Sequence, residues 1–390
     1  MNRSAPPAGG VAATAPPAGG DARLYIQSLD GLRALSFLLV FSSHSILIRM
    51  SPGGFGVTVF FFLSGYLITT LLRLEGEQRG TISLSAFYLR RTLRIFPPAT
   101  LFVTVAALCA LFVPPALGVS PPGVDPLGLL AGYGYLTNLF LITGHGSRLL
   151  PGTDVLWSLA IEEHFYLMFP LFYLVLRRVV RTPRRQALVL AFVCAALLGW
   201  RHALVSSLDM TQKLDQFRLT FATDTRIDSI LFGCILALWG NPVLDPPAWP
   251  ERWTATIGVA AAALTVFMLF NREVFYPYVV RYTLQGLALL PLFVCAIRYA
   301  ERWPWAWLNG RVIRRWGVLS YSMYLFHVLV IDQVRAAARA LGWLAVDAHW
   351  PQLLAADVVA LAITYAIAEL VNRLLDRPLT ALRHRLQRVA

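Results

Sequence analysis

Eleven apolar runs follow one another along the chain, at approximately 31–49, 55–74, 95–113, 127–143, 156–176, 186–200, 227–240, 254–270, 279–298, 316–333 and 353–372. The hydrocarbon core of a bilayer is about 30 Å thick, and a helix needs about 20 mostly apolar residues to cross it. Runs of that kind repeated from end to end are the signature of a polytopic membrane protein. Composition agrees: 57% of the 390 residues are hydrophobic, 14% are charged and the mean hydropathy is +0.60, whereas a soluble chain carries about 25% charged residues. No loop between runs is long enough to build a separate soluble domain. The expected fold is all-α, with one transmembrane domain over 29–378. Residues 1–28 read as a disordered cytoplasmic tail rich in Pro, Ala and Gly, and 379–390 as a basic cytoplasmic tail. APPAGG occurs twice near the start, but no apolar core follows a basic stretch there, so the segment is not read as a signal peptide.

The net charge of +13 does not form one solvated patch of the kind that binds nucleic acid. The arginines gather in four short segments, Arg73 to Arg94, Arg177 to Arg185, Arg298 to Arg315 and Arg373 to Arg388. Such segments mark cytoplasmic loops. All four can be cytoplasmic only if the run 127–143 does not span. That run contains Gly128, Gly132, Gly134 and Asn138, and reads instead as a re-entrant or interfacial piece of a structured outer loop from Pro114 to Leu156. About ten transmembrane helices result, with both termini cytoplasmic and the chain in a bacterial inner membrane. The runs 186–200 and 227–240 are short for a span. Cys109, Cys194, Cys234 and Cys295 all lie inside apolar runs without metal-ligand spacing and read as packing residues.

Charged side chains inside spans are costly and mark function or a partner. In the first run, LDGLRALSFLLVFSSH, Arg33 and His44 lie almost three turns apart on one helix face, roughly 16 Å along the axis. Arg33 could pair with Asp30 as an anchor and His44 could be an interfacial histidine; alternatively both serve a site. Glu162 and Glu163 follow Trp157 in WSLAIEEHFYLMFP, Arg226 and Asp228 open the run RIDSILFG, and Tyr321, Tyr324 and His327 stand at i, i+3 and i+6 in GVLSYSMYLFH. The charge-based topology puts His44, Glu162, Glu163, Arg226, Asp228 and His327 in the outer half of the membrane, which suggests one buried polar site. Arg33, Arg90, Arg91 and Arg94 gather at the inner face. Positive-inside bias alone would place arginines there. The functional alternative is a phosphate clamp, for which the forked guanidinium is suited.

Taken together, these segments resemble the acyltransferase-3 family of bacterial integral membrane O-acyltransferases, from about Leu29 to Pro378. Six stretches carry the likeness in order: LDGLRAL with Arg33 and then His44, GGFGVTVFFFLSGYLI at 53–68, FYLRRTLRIFPP at 87–98, WSLAIEEHFYLMFP at 157–170, RIDSILFG and GVLSYSMYLFH. Thr58 departs from the family, many of whose members carry an acidic residue there. The sequence ends at Ala390 without the extra soluble hydrolase-like domain of some longer members, so acceptor transfer is expected of this domain alone or with a partner. The resemblance implies a cytoplasmic acyl-CoA donor, acetyl-CoA by preference, and an acceptor hydroxyl on a carbohydrate, a lipid-linked glycan or a secondary metabolite. The expected catalytic residues are then His44, Glu162, Glu163 and His327. Arg33, Arg90, Arg91 and Arg94 would hold the donor, and Trp157, Arg226, Asp228, Tyr321 and Tyr324 the acceptor, with no metal. His44 would act as general base with a glutamate orienting it, or carry the acyl group transiently. A transporter or flippase would also enclose ionisable residues, but no internal repeat of the sort common in transporters is evident, and no nucleotide loop, zinc motif or dinucleotide fingerprint is found.

Overall fold

A computed structural model describes residues 25–49, 52–112, 124–247, 250–270, 278–345 and 349–381. The Pro/Ala/Gly-rich segment up to residue 24, residue 113 with residues 114–123 of the expected outer loop, and the basic segment from 382 lie outside the described residues. The described residues form helices and loops, with no strand among them. In chain order the helices are α1 (Gln27–His44), α2 (Gly53–Arg79), α3 (Leu84–Phe112), α4 (Pro126–Tyr133), α5 (Thr137–Ile142), α6 (Trp157–Val179), α7 (Pro183–Ser207), α8 (Lys213–Phe221), α9 (Thr223–Arg226), α10 (Asp228–Leu238), α11 (Glu251–Phe270), α12 (Arg281–Arg298), α13 (Arg311–Ala340) and α14 (Trp350–Val371).

Seven of these segments, over α2, α3, α6, α7, α11, α13 and α14, are long and apolar enough to cross a membrane. The expected count of about ten is reached only by adding α1, α10 and α12. Of these, α10 has 11 residues and α1 opens with Asp30 and Arg33 in its first two turns. The two runs that looked short resolve differently. The helix over 186–200 extends to Ser207 and so reaches full length; the one over 227–240 stops at Leu238. The run 127–143 is broken into α4 and α5, with Tyr135 between them in the left-handed region at φ 54°. Asp125 caps α4 by accepting from the backbone of Leu127 and Gly128. Helices of 8 and 6 residues, at 1.5 Å per residue, are far too short to cross.

Close backbone contact holds the centre together. A Cβ on Gly65 of α2 would collide with the Ile230 carbonyl of α10, and one on Gly233 of α10 with the Phe62 carbonyl of α2. Likewise Gly56 of α2 lies against the Ser36 carbonyl of α1, and Gly317 of α13 against the backbone of Asp30. Helices associate in lipid through such small-residue contacts, because burying apolar side chains gains little there. So α1 is clasped between α2 and α13, and α2 between α1 and α10.

Buried charges form the cross-ties. Arg201 of α7 donates to Asp228 of α10 at 2.7 Å, and both side chains are 0% exposed. The other Arg201 nitrogens donate to the Val279 carbonyl and the Thr283 hydroxyl. Arg335 of α13 donates to Asp357 of α14 at 2.6 Å, and Asp357 also accepts from the backbone of Ile46. In these two ties each charge brought into the apolar interior meets its opposite, the condition under which such burial is tolerated.

Candidate active site

Five helices, α1, α2, α3, α6 and α13, enclose a cavity of about 240 Å³. Arg33 comes from α1, Ser64 from α2, Arg91 and Arg94 from α3, Glu162, Glu163 and Tyr166 from α6, and Tyr321 and Tyr324 from α13. Helical spacing explains the choice of arginines. Arg91 and Arg94 stand three residues apart on one face, whereas Arg90 is turned by about 100°. Arg90 is not among the lining residues; it donates to Glu75 at 3.2 Å. Arg33 is held by Asp30 at 2.9 Å, and Tyr25 donates to the other Asp30 oxygen. Arg91 meets no carboxylate among the described residues, and its guanidinium lies 5.4 Å from the Tyr166 ring centroid and 5.9 Å from that of Phe87.

The two glutamates lie in the same cavity. Glu162 accepts from Ser64 and from Tyr166, each at 3.0 Å. Glu163 lines the cavity too, and its Oε1 is buried without a partner. Tyr321 also faces this space and donates to the Ile95 carbonyl on α3. Arginine end and carboxylates therefore share one chamber.

The histidines form a separate pair. His44, the last residue of α1, and His327 of α13 have ring centroids 5.1 Å apart, edge to face. His327 is 0% exposed and packs against Phe37, Phe41 and Tyr324. Its Nδ1–H donates to the Tyr324 carbonyl at 2.6 Å. A carbonyl can only accept, so in the neutral ring the proton sits on Nδ1 and the lone pair on Nε2. Nε2 is buried and has no protein partner. Tyr324 stands between pair and cavity: it lines the cavity, its ring lies 5.5 Å from His327, and its hydroxyl bonds Ser158 at 2.6 Å and the Val155 carbonyl.

The expected single cluster is thus divided into three groups. His44, His327 and Tyr324 come together. Glu162 and Glu163 sit instead with Arg33, Arg91, Arg94 and Tyr321, because Ser158 already meets Tyr324 and the glutamates lie roughly 6 Å further along α6. Arg226 lies beside Trp157 at 5.7 Å and across the Tyr282 ring at 3.7 Å, while Asp228 is taken up by Arg201. Sequence reasoning passed over Ser64, Tyr166 and Arg201. A hydroxyl in an apolar run is too common to stand out, and Arg201 fell just past the end of its run. Among the described residues no group of three or more His, Cys, Asp or Glu is placed to hold a metal ion, and the four cysteines are free.

A family model described as an acyltransferase domain matches residues 26–369. The peptidoglycan O-acetyltransferase OatA of Listeria monocytogenes is 31% identical over 369 residues, covering 92% of this chain and 56% of that protein. A putative O-acetyltransferase of Staphylococcus aureus strain COL is 29% identical over 364 residues, covering 91% of this chain and 57% of its own length. The O-acetyltransferase OatA of S. aureus strain NCTC 8325 is 28% identical over 318 residues, covering 79% and 51%. The chain therefore spans about half the length of these curated relatives. No solved structure matches.

Proposed function

Since the chain belongs to the acyltransferase-3 family of membrane O-acyltransferases, we propose that it moves an acyl group, acetyl by preference, from acyl-CoA to a hydroxyl of a carbohydrate or glycan-like acceptor. The observation that carries this reading is the separation of two chemistries along α1. Arg33 shares a cavity with Arg91 and Arg94, and the His44–His327 pair lies roughly 16 Å from Arg33, at 1.5 Å per residue.

Arginine forks bind phosphate oxygens well, and neither Arg91 nor Arg94 is paired with a carboxylate among the described residues. They and Arg33 hold the donor's phosphates from the cytoplasmic side, where CoA is made. The extended pantetheine arm then carries the thioester past Tyr324 toward the histidines. His44 takes the proton of the acceptor hydroxyl as general base, the role to which an imidazole is suited. The acceptor oxygen bonds to the acyl carbon, the carbon–sulfur bond breaks and CoA leaves as its thiolate. His327, with its tautomer set by the Tyr324 carbonyl, packs edge to face against the His44 ring at 5.1 Å between centroids and so limits the orientations that ring can take. The chain lies in a bacterial inner membrane with both termini cytoplasmic.

The test is CoA release by the purified protein in lipid nanodiscs, with acetyl-CoA and an isolated glycan fraction. Release that requires the glycan, and an acetyl mass on the glycan that a deletion strain lacks, is the expected result. A protein that consumes no acyl-CoA under these conditions, yet moves a glycan across a vesicle membrane, would replace the reading with transport.

A further inference from the structure

Two arginines, Arg201 and Arg226, are among the largest fully buried side chains, and they are treated oppositely by their surroundings. Arg201 has Asp228 at 2.7 Å and further acceptors in the Thr225 and Val279 carbonyls and the Thr283 hydroxyl. Arg226 is 1% exposed and forms no ion pair among the described residues. Its Nη2 donates to the Thr58 hydroxyl at 3.3 Å, the Tyr282 hydroxyl is a further polar neighbour, and Nε is buried without a partner among the described residues. The rings of Tyr282, Phe61 and Trp157 surround it, the first at 3.7 Å. Arg281 lies 5.9 Å from the Tyr282 ring, is only partly buried and also has no ion pair among the described residues. Two cations thus flank one tyrosine, the outer one facing the surface.

The backbone adds positive potential of the same sign. Helices α2, α10 and α12 all begin here, at Gly53, Asp228 and Arg281, and helix N-termini favour anions. Arg281 reaches to Gly54 in the first turn of α2. The nearest carboxylate on α10, Asp228, is already committed to Arg201. A buried cation without its counter-charge is expensive, and Arg226 sits at the same end of the helices as His44, since Gly53 of α2 touches Ser43.

We infer that Arg226, with Arg281 at its mouth, is a subsite for an anionic group on the acceptor, a carboxylate or phosphate carried beside the hydroxyl that is acylated. Thr58 and the aromatic rings shape it, and the anion supplies the missing counter-charge. The assignment of the anion to the acceptor rests on the acyl-transfer reading above; the presence of an anion subsite does not.

Glucuronate, glucose 1-phosphate and glucose present the same ring with a carboxylate, a phosphate or no charge. Their effect on the thermal unfolding midpoint of the protein in nanodiscs, at matched ionic strength, reads the subsite directly. The expected result is a saturable rise with one or both charged sugars and none with glucose; the sugar that responds names the group. Arg226→Met should weaken the apparent affinity by about tenfold or more, and Arg281→Gln, a partly exposed position that keeps the core intact, should weaken it too. Arg33→Gln should leave it unchanged. No shift with either charged sugar, an unchanged response in Arg226→Met and Arg281→Gln, or loss in Arg33→Gln instead would overturn the inference. Acetyl-CoA consumption measured on the same preparation separates the two readings: consumption without an anion response leaves acyl transfer standing and removes the anion subsite, whereas an anion response without consumption keeps the subsite and removes its assignment to an acyl acceptor.

Discussion

Replacing the arginines around the cavity by lysine, one at a time, should rank them by how much of each fork is free for a ligand. Lysine keeps the charge but replaces a planar fork by a point donor. A hydrogen bond to a charged group contributes about 1.5–3 kcal/mol, so losing one such bond to a donor phosphate weakens binding roughly 10- to 150-fold at 1.4 kcal/mol per decade. Arg91 lies against aromatic rings and forms no ion pair among the described residues, so Arg91→Lys belongs at the upper end of that range. Arg33 already directs one N–H to Asp30 at 2.9 Å, which puts Arg33→Lys at the lower end. Arg90 is off the cavity and bound to Glu75, so Arg90→Lys should bind donor as the wild type does. Calorimetry with a non-hydrolysable acetyl-CoA analogue on detergent-purified variants measures all three. If Arg90→Lys loses as much affinity as Arg91→Lys, the cavity is not where the phosphates sit; if none of the three changes affinity, the donor enters elsewhere.

His44→Ala should abolish transfer while leaving the affinity for the same analogue near the wild-type value, because it removes the base and not the phosphate contacts; retained turnover at equal protein level would take His44 out of the chemistry. Asp228→Ala strands the Arg201 charge in a fully buried setting, which should cost about 3–5 kcal/mol of stability in an SDS-induced unfolding titration. The Arg201→Met/Asp228→Ala double variant should recover much of it, and a single variant costing under about 1 kcal/mol would contradict the account. Reporter fusions after Arg181 and after Arg311 should lie in the cytoplasm and one at Gly146 outside; an external Arg181 reporter would reverse the charge-based topology.

Much of the fold was legible because lipid imposes a simple demand on sequence: each long apolar run between arginine clusters became a helix. What the pattern could not fix was length where tertiary contacts decide it. Arg201 extends α7 beyond its apolar run because Asp228 is there to receive it, a partnership 27 residues apart that no local signal announces. The broken run at 127–143 was readable from its glycines, whereas the left-handed turn at Tyr135 was not. In the site, Arg33, His44 and His327 stood out as polar groups in apolar surroundings. The depth of Glu162 did not, since it depends on how far α6 has descended when Ser158 reaches Tyr324. Ser64 gained meaning only when α6 brought a carboxylate to it.

The glycine contacts in the centre of the bundle have a mechanical corollary. Where Gly65 meets the Ile230 carbonyl and Gly233 the Phe62 carbonyl, backbone rests on backbone, and no side chain stands between α2 and α10 to swing aside and alter their spacing. That half of the bundle is stiff. The wall formed by α3 is tethered otherwise: Tyr88 donates to the Leu167 carbonyl of α6 at 2.8 Å, and Tyr321 of α13 to the Ile95 carbonyl at 2.8 Å. These two tethers are neutral hydrogen bonds, each with a net contribution of about 1 kcal/mol, and the Arg90–Glu75 ion pair adds a charged one to α2. The two sides of the cavity are thus built differently: backbone against backbone where α2 meets α10, and side chain to neighbour where α3 meets α6, α13 and α2.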